Sequence, residues 1–219
     1  MPIFTDPQAF PAFYELPSSS SPPPLPSSSA PPSSPPAAWF LLAQIKEDMT
    51  ITKPTVIVRD RSETDFAVTF DDGDQHGLVI SGGGAGGGRA RFRKGHTLIV
   101  PCPARTDRGE GKKALVRVPE GLGKDVRVLP AGLERVFELG LLVRSGQGDG
   151  DQKKRACAAC GKEGKCEGED EDEGGQKLMR CTGCGVVAYC SKECQVRGWN
   201  DKGHKSDCKV LKGIKEIWP

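Results

Sequence analysis

The 219-residue sequence predicts an α+β protein in three parts. A disordered Pro/Ser-rich N-terminal tail leads into a small mixed α+β domain, and a short cysteine-rich module follows. Three observations predict this. Twelve of the 18 prolines lie before residue 37, and a chain so poor in apolar groups cannot offset the entropy of ordering. Residues 39–144 alternate short β-branched runs with a helical pattern at each end. From residue 157 onward, seven cysteines and one histidine fall in four pairs at ligand spacing.

The tail is expected over residues 1–38. Proline fixes φ and removes backbone donors, so neither helix nor sheet propagates through it. Its most distinctive segment, Pro22-Pro23-Pro24-Leu25-Pro26, has polyproline II character and is a candidate docking peptide. At Ala38, Leu41, Leu42 and Ile45 apolar residues recur at helical spacing, and Pro54 stops any continuation. Residues 55–59 and 65–70 read as strands, the second with Phe66, Val68 and Phe70 on one face. Asp71-Asp72-Gly73-Asp74 marks a turn, after which residues 77–81 are expected to pair back as a hairpin.

The glycine run at 82–88 lacks the Gly-Lys-Ser/Thr of a phosphate-binding loop, so it reads as a flexible insertion. Arg89, Arg91 and Arg93 after it read as a solvated strand face. Further strands are expected at 97–100, 114–118 and 125–129. A helix over 130–143 closes the domain, with Leu133, Val136, Phe137, Leu141 and Val143 on its apolar side. Residues 145–156 are a linker by composition.

The four ligand pairs are Cys157/Cys160, Cys181/Cys184, Cys190/Cys194 and His204/Cys208. A C-x-x-C pair bends as a tight knuckle that turns both sulfurs toward one ion. An i,i+4 pair places two ligands on one side of a helical turn. Eight ligands make two closed tetrahedral sites, one with four cysteines and one with three cysteines and a histidine. That donor set selects two Zn²⁺ ions. Closed coordination leaves no position for a reacting water, so the metal is structural. The stretch of about 165–176 carries Cys166 and an acidic run from Glu167 to Glu173, which is expected to be a disordered insert. Ser191 is a natural N-cap for the helix carrying Cys194, and Asn200 a candidate cap for the last helix. Gly203 is expected inside that helix, at a cost of about 1 kcal/mol. Residues 209–219 continue it with an apolar stripe of Val210, Leu211, Ile214, Ile217 and Trp218.

The order of the pairs, the run Ala188-Tyr189-Cys190-Ser191-Lys192-Glu193-Cys194-Gln195, Trp199 and the closing His204-x-x-x-Cys208 resemble the MYND-type zinc fingers. The resemblance covers residues 157–208. It departs from the family in the length of the insert between Cys160 and Cys181. It implies an interleaved arrangement, with Cys157, Cys160, Cys190 and Cys194 around one ion and Cys181, Cys184, His204 and Cys208 around the other. It also implies a protein–protein interaction module in a regulatory or scaffolding role, with proline-rich peptides as the expected ligand class. Tyr189, Gln195 and Trp199 are the candidate peptide-binding residues, and the chain's own tail is a candidate ligand in cis or in trans. More faintly, residues 94–101 and 105–111 resemble stretches of fungal MYND proteins.

Other function classes fare worse. A nucleic-acid-associated transcriptional regulator is the alternative, but the formal charge is only +2. Seven thiolates around two Zn²⁺ would bring it to about −1, so a nucleic-acid partner is disfavoured. A remnant of a SET–MYND methyltransferase ranks lower: no cofactor motif stands outside the finger, and His76 and His96 read as surface residues. The chain is expected not to be an enzyme. No apolar run reaches 18 residues, so no membrane span is expected. The first residues do not form a secretory signal. With nine cysteines, this places the chain inside the cell, in nucleus or cytoplasm rather than secreted.

Overall fold

A computed structural model describes residues 4–20, 39–72, 92–146, 155–166 and 177–218. The candidate docking peptide at 22–26, His76, the return strand of the expected hairpin at 77–81 and the glycine run lie outside the described residues. So do Arg89, Arg91, most of the linker and the acidic run. The chain divides into two compact units, with the division between Val136 and Phe137.

The first unit is a seven-stranded mixed sheet in the order β5-β6-β3-β2-β1-β4-β7. Its strands are β1 (Phe40–Asp48), β2 (Thr55–Asp60), β3 (Asp65–Phe70), β4 (Thr97–Pro101), β5 (Arg105–Thr106), β6 (Leu115–Val118) and β7 (Arg127–Leu129). All neighbours are antiparallel except β3 and β6. One face carries the core: Leu41, Ala43 and Ile45 of β1, Val56 and Val58 of β2, and Phe66, Val68 and Phe70 of β3 pack together. Each such side chain of valine size or larger contributes roughly 1.5–3 kcal/mol of burial.

Two expectations for this unit are corrected. The apolar run after Ala38 is not a helix but β1, paired with β2 on one side and β4 on the other. Unlike β2 and β3, which alternate, β1 is covered on both faces over Leu41–Ala43, so Leu41, Leu42, Ala43 and Ile45 are all buried, and the spacing mimics a helical stripe. Residues 4–20 of the expected disordered tail are instead folded onto the sheet, while residues 1–3 and 21–38 lie outside the described residues. Phe4, Phe10, Phe13 and Leu16 are buried, and the Phe13 ring stacks on Phe66 at 4.2 Å. The Phe40 amide donates to the Ala9 carbonyl, and Arg105 exchanges main-chain bonds with Pro17 and Ser19, which covers the short edge strand β5.

The helix α1 (Leu133–Gly146) contains the point of division.

The second unit holds the cysteine-rich segment. Its strands β8 (Arg155–Ala156), β9 (Glu163–Cys166), β10 (Lys177–Arg180) and β11 (Ala188–Tyr189) form a four-stranded sheet. Two helices follow, α2 (Lys192–Asn200) and α3 (His204–Ile217). The expected stripe on α3 is largely internal, with Val210, Leu211, Ile214 and Trp218 buried. Asn200 does not cap α3, since it is the last residue of α2. Gly203 takes the cap position with φ of +75°, a left-handed backbone that favours glycine, so it lies before the helix rather than inside it.

Candidate metal centre

Each of the four ligand pairs is positioned by a local device. The first, Cys157/Cys160, occupies the turn from β8 to β9. The Cys157 amide donates to the Lys162 carbonyl at 2.8 Å, and the Gly161 amide to the Cys157 carbonyl at 2.8 Å. The second, between β10 and β11, repeats the plan. The Cys181 amide donates to the Val187 carbonyl, and the Gly185 amide to the Cys181 carbonyl at 2.7 Å. Gly161 and Gly185 both have positive φ, at +77° and +66°. The pattern C-x-x-C-G, present twice in the sequence, marks these knuckles and is a signal beyond the cysteine spacing itself. The third pair brackets the start of α2, where the Ser191 hydroxyl accepts from the Cys194 amide, as expected of an N-cap. The fourth lies in the first two turns of α3, which puts His204 and Cys208 on one face.

These elements gather the eight side chains into two groups: Cys157, Cys160, Cys190 and Cys194, and Cys181, Cys184, His204 and Cys208. Within each, the ligand atoms lie within 4.8 Å of one another. This is the interleaved order. The Ala158 amide donates to the Ala188 carbonyl at 2.9 Å, tying the first knuckle to the strand that leads into Cys190.

The geometry fits zinc. A tetrahedron with Zn–S bonds of about 2.3 Å has sulfur–sulfur edges of about 3.8 Å. The observed separations are 3.5 Å for Cys160–Cys190, 3.6 Å for Cys190–Cys194 and 3.9 Å for Cys181–Cys208. His204 Nε2 stands 3.3 Å from Cys181 Sγ and 3.7 Å from Cys184 Sγ, against about 3.5 Å for a mixed edge. The close approach also shows at Gly183, where a Cβ would lie 2.8 Å from Cys208 Sγ.

The electrostatics call for a cation. Burial opposes ionisation of Cys157, but the backbone N–H groups of Cys160, Cys190 and Ala159 outweigh it and hold the thiol at about 6. Burial is likewise outweighed at Cys181 by the amides of Cys184 and Gly183. Two other thiols resist ionisation. Hydrogen bonding to the sulfurs of Cys160 and Cys194 pushes Cys190 up to about 12. Burial, then the charges at Cys184 and Cys181, push Cys208 up to about 12. Several anionic sulfurs in one small volume are tolerable only around a dication. Burial lowers the His204 pKa, which keeps the imidazole neutral and able to ligate.

The three candidate peptide residues separate. Tyr189 is 1% exposed, with its ring in a T-shaped contact with His204 and its side chain closely covering Gly198. It is interior to the finger and cannot form a groove wall, because the α2 backbone comes too near for a ligand to enter. Gln195 is half-buried and Trp199 exposed, one turn apart on α2.

No curated protein matches the chain. Two zinc ions, one held by four cysteines and one by three cysteines and a histidine, agree with the MYND finger, whose family model matches residues 157–208. Such fingers are generally protein-interaction modules, and it is to them that this segment belongs.

Proposed function

We propose that this chain is a non-catalytic adaptor whose zinc-held finger binds proline-rich peptides through α2. The observation that carries this reading is the surface of that helix. Trp199 is 38% exposed and Val196 53% exposed, with Gln195 beside them at i,i+4 from the tryptophan. An indole face and a side-chain amide one turn apart suit a polyproline II segment. The ring packs on a prolyl face, and the amide bonds a backbone carbonyl that makes no bond within the peptide. Both metal ions serve this surface indirectly. Cys194 fixes α2 at its first turn, and the Trp199 ring meets the His204 ring edge-on at 5.7 Å. Ligands that must stay reduced support a nuclear or cytoplasmic setting.

Calorimetric titration of the zinc-loaded chain with proline-rich peptides tests this. Trp199→Ala is expected to weaken binding at least tenfold, about 1.4 kcal/mol, with two zinc ions retained. Equal affinity of wild type and variant would sink the assignment.

A further inference from the structure

The two metal groups differ in what surrounds their sulfurs. In the group that includes His204 all four ligands are buried. In the all-cysteine group only Cys157 is buried, Cys190 and Cys194 are half-buried, and Cys160 is exposed. Two of these sulfurs have hydrogen-bond donors beside them. Cys157 receives the backbone N–H groups of Cys160, Cys190 and Ala159. Cys194 has the Arg197 guanidinium at 4.0 Å. Donors of this kind withdraw electron density from a thiolate and blunt it as a nucleophile. Cys160 is the most exposed residue of the four, and Cys190 Sγ lies 3.5 Å from its sulfur.

We propose that Cys160 is an oxidation site for hydrogen peroxide, with Cys190 as its resolving thiol. This makes the all-cysteine centre the redox-sensitive half of the finger. The inference rests on the two-zinc reading above. In the first step the Cys160 thiolate attacks one oxygen of the peroxide. The O–O bond breaks, hydroxide leaves, and Cys160 becomes a sulfenic acid. In the second step the Cys190 thiolate attacks the Cys160 sulfur. The S–S bond forms, the S–O bond breaks, and a second hydroxide leaves. Two thiolates have then lost two electrons, the peroxide has gained them, and two solvent protons neutralise the two hydroxides. Cys157 and Cys194 alone cannot fill a four-ligand site, so this centre gives up its ion. Cys190 is also the residue that joins β11 to α2. Drawing its sulfur toward the first knuckle disturbs the helix that carries Gln195 and Trp199, so oxidation is coupled to the peptide surface. Reduction by dithiols restores the ligand set.

The centre containing His204 is the internal control. Its sulfurs have the same chemistry but a covered setting: Cys181, Cys184 and Cys208 are buried, as is His204.

The test uses the full zinc-loaded chain carrying Cys102→Ser and Cys166→Ser, which removes the exposed thiol at 102 and the thiol at 166 while leaving every ligand in place. Zinc content is first measured by elemental analysis. Hydrogen peroxide is then added, zinc release is followed with a chromogenic chelator, and disulfides are mapped by mass spectrometry. The expected result is one equivalent of zinc released roughly tenfold faster than the second, a Cys160–Cys190 disulfide as the first product, and rebinding after dithiothreitol. Two equivalents released together, or a first disulfide among Cys181, Cys184 and Cys208, would overturn the proposal while leaving the two-zinc reading intact. Fewer than two zinc ions before peroxide is added would overturn both.

Discussion

Asp60 carries more of the sheet unit than its place at the end of β2 suggests. Its carboxylate is buried and accepts the amides of Phe13, Ser62 and Thr64 and the Ser62 hydroxyl, at 2.7 to 3.0 Å. One side chain thus closes the β2–β3 turn and holds the N-terminal segment 47 residues away. Asp60→Ala would leave the buried Phe13 amide and the half-buried Thr64 amide without their acceptor, at about 3 kcal/mol in total. Urea unfolding of the sheet unit measures this, and a loss under about 1 kcal/mol would mean that water satisfies those amides. Gly198 makes the corresponding argument in the finger. A Cβ there would run into Tyr189 Cε1 and lie 2.7 Å from its hydroxyl oxygen. Alanine in a helix ordinarily gains about 1 kcal/mol over glycine. Here the buried tyrosine ring has to move, and overpacking of this kind costs about 1–3 kcal/mol. The balance predicts that Gly198→Ala lowers the thermal midpoint of the finger and speeds zinc loss to a chelator. A raised midpoint would show that the ring moves freely.

Among the elements, the segment 4–20 shows a dependence on acidity. The Glu15 carboxylate accepts the Ala12 amide at 2.6 Å and pairs with Arg61 at 2.7 Å. The amide first, then the guanidinium, hold its pKa below the ordinary 4.5. A carboxyl lowered by folding contributes stability above its unfolded value and loses it as the pH falls through the folded one. Hydrogen exchange should therefore show the amides of residues 12–16 losing protection between about pH 5 and pH 3. Glu15→Gln should remove that dependence, and an unchanged profile in the variant would refute the link. This segment is also the least legible in the sequence. Prolines and serines dominate residues 1–38, and the spacing of Phe4, Phe10, Phe13 and Leu16 follows no period, because each docks at a different place rather than along one face. β1 misleads for another reason: a strand buried on both faces loses the alternation that β2 and β3 keep. The short β5 has no local signature, since residues 105 and 106 are ordered by Leu115, Val116 and the Pro17–Ser19 stretch. The strands at 55–60, 65–70 and 97–101 are legible because β-branched and aromatic residues cluster between breakers. The ligands are legible because coordination demands fixed chemistry at fixed spacing. Tyr189 is not, since nothing in a sequence tells an aromatic that lines a groove from one that fills the space over a helical glycine.

For the whole molecule, the division into two units sets how it should respond to losing metal. All eight ligands lie in the unit from residue 137 onward. The sheet unit has its own apolar core on β1–β4, β6 and β7 and carries no ligand of either centre. In zinc fingers the binding free energy, roughly 10–16 kcal/mol near neutral pH, is largely folding free energy. The finger's own apolar core is small, so no comparable reserve remains once the ions leave. Chelation of the full chain should therefore abolish the protection of residues 157–166 and 177–208 in hydrogen exchange and open them to protease. The sheet unit should keep its amide protection and its urea midpoint. Acid should act in the same direction through His204: burial sets its pKa below 6.5, so its contribution is complete above that value and is lost as the pH falls past it. Lower pH then also protonates the thiolates and releases the ions. A chelated chain in which residues 157–166 and 177–208 exchanged no faster than before would show that side-chain packing alone holds the finger. A sheet unit that unfolded along with it would show that the two units share one cooperative transition.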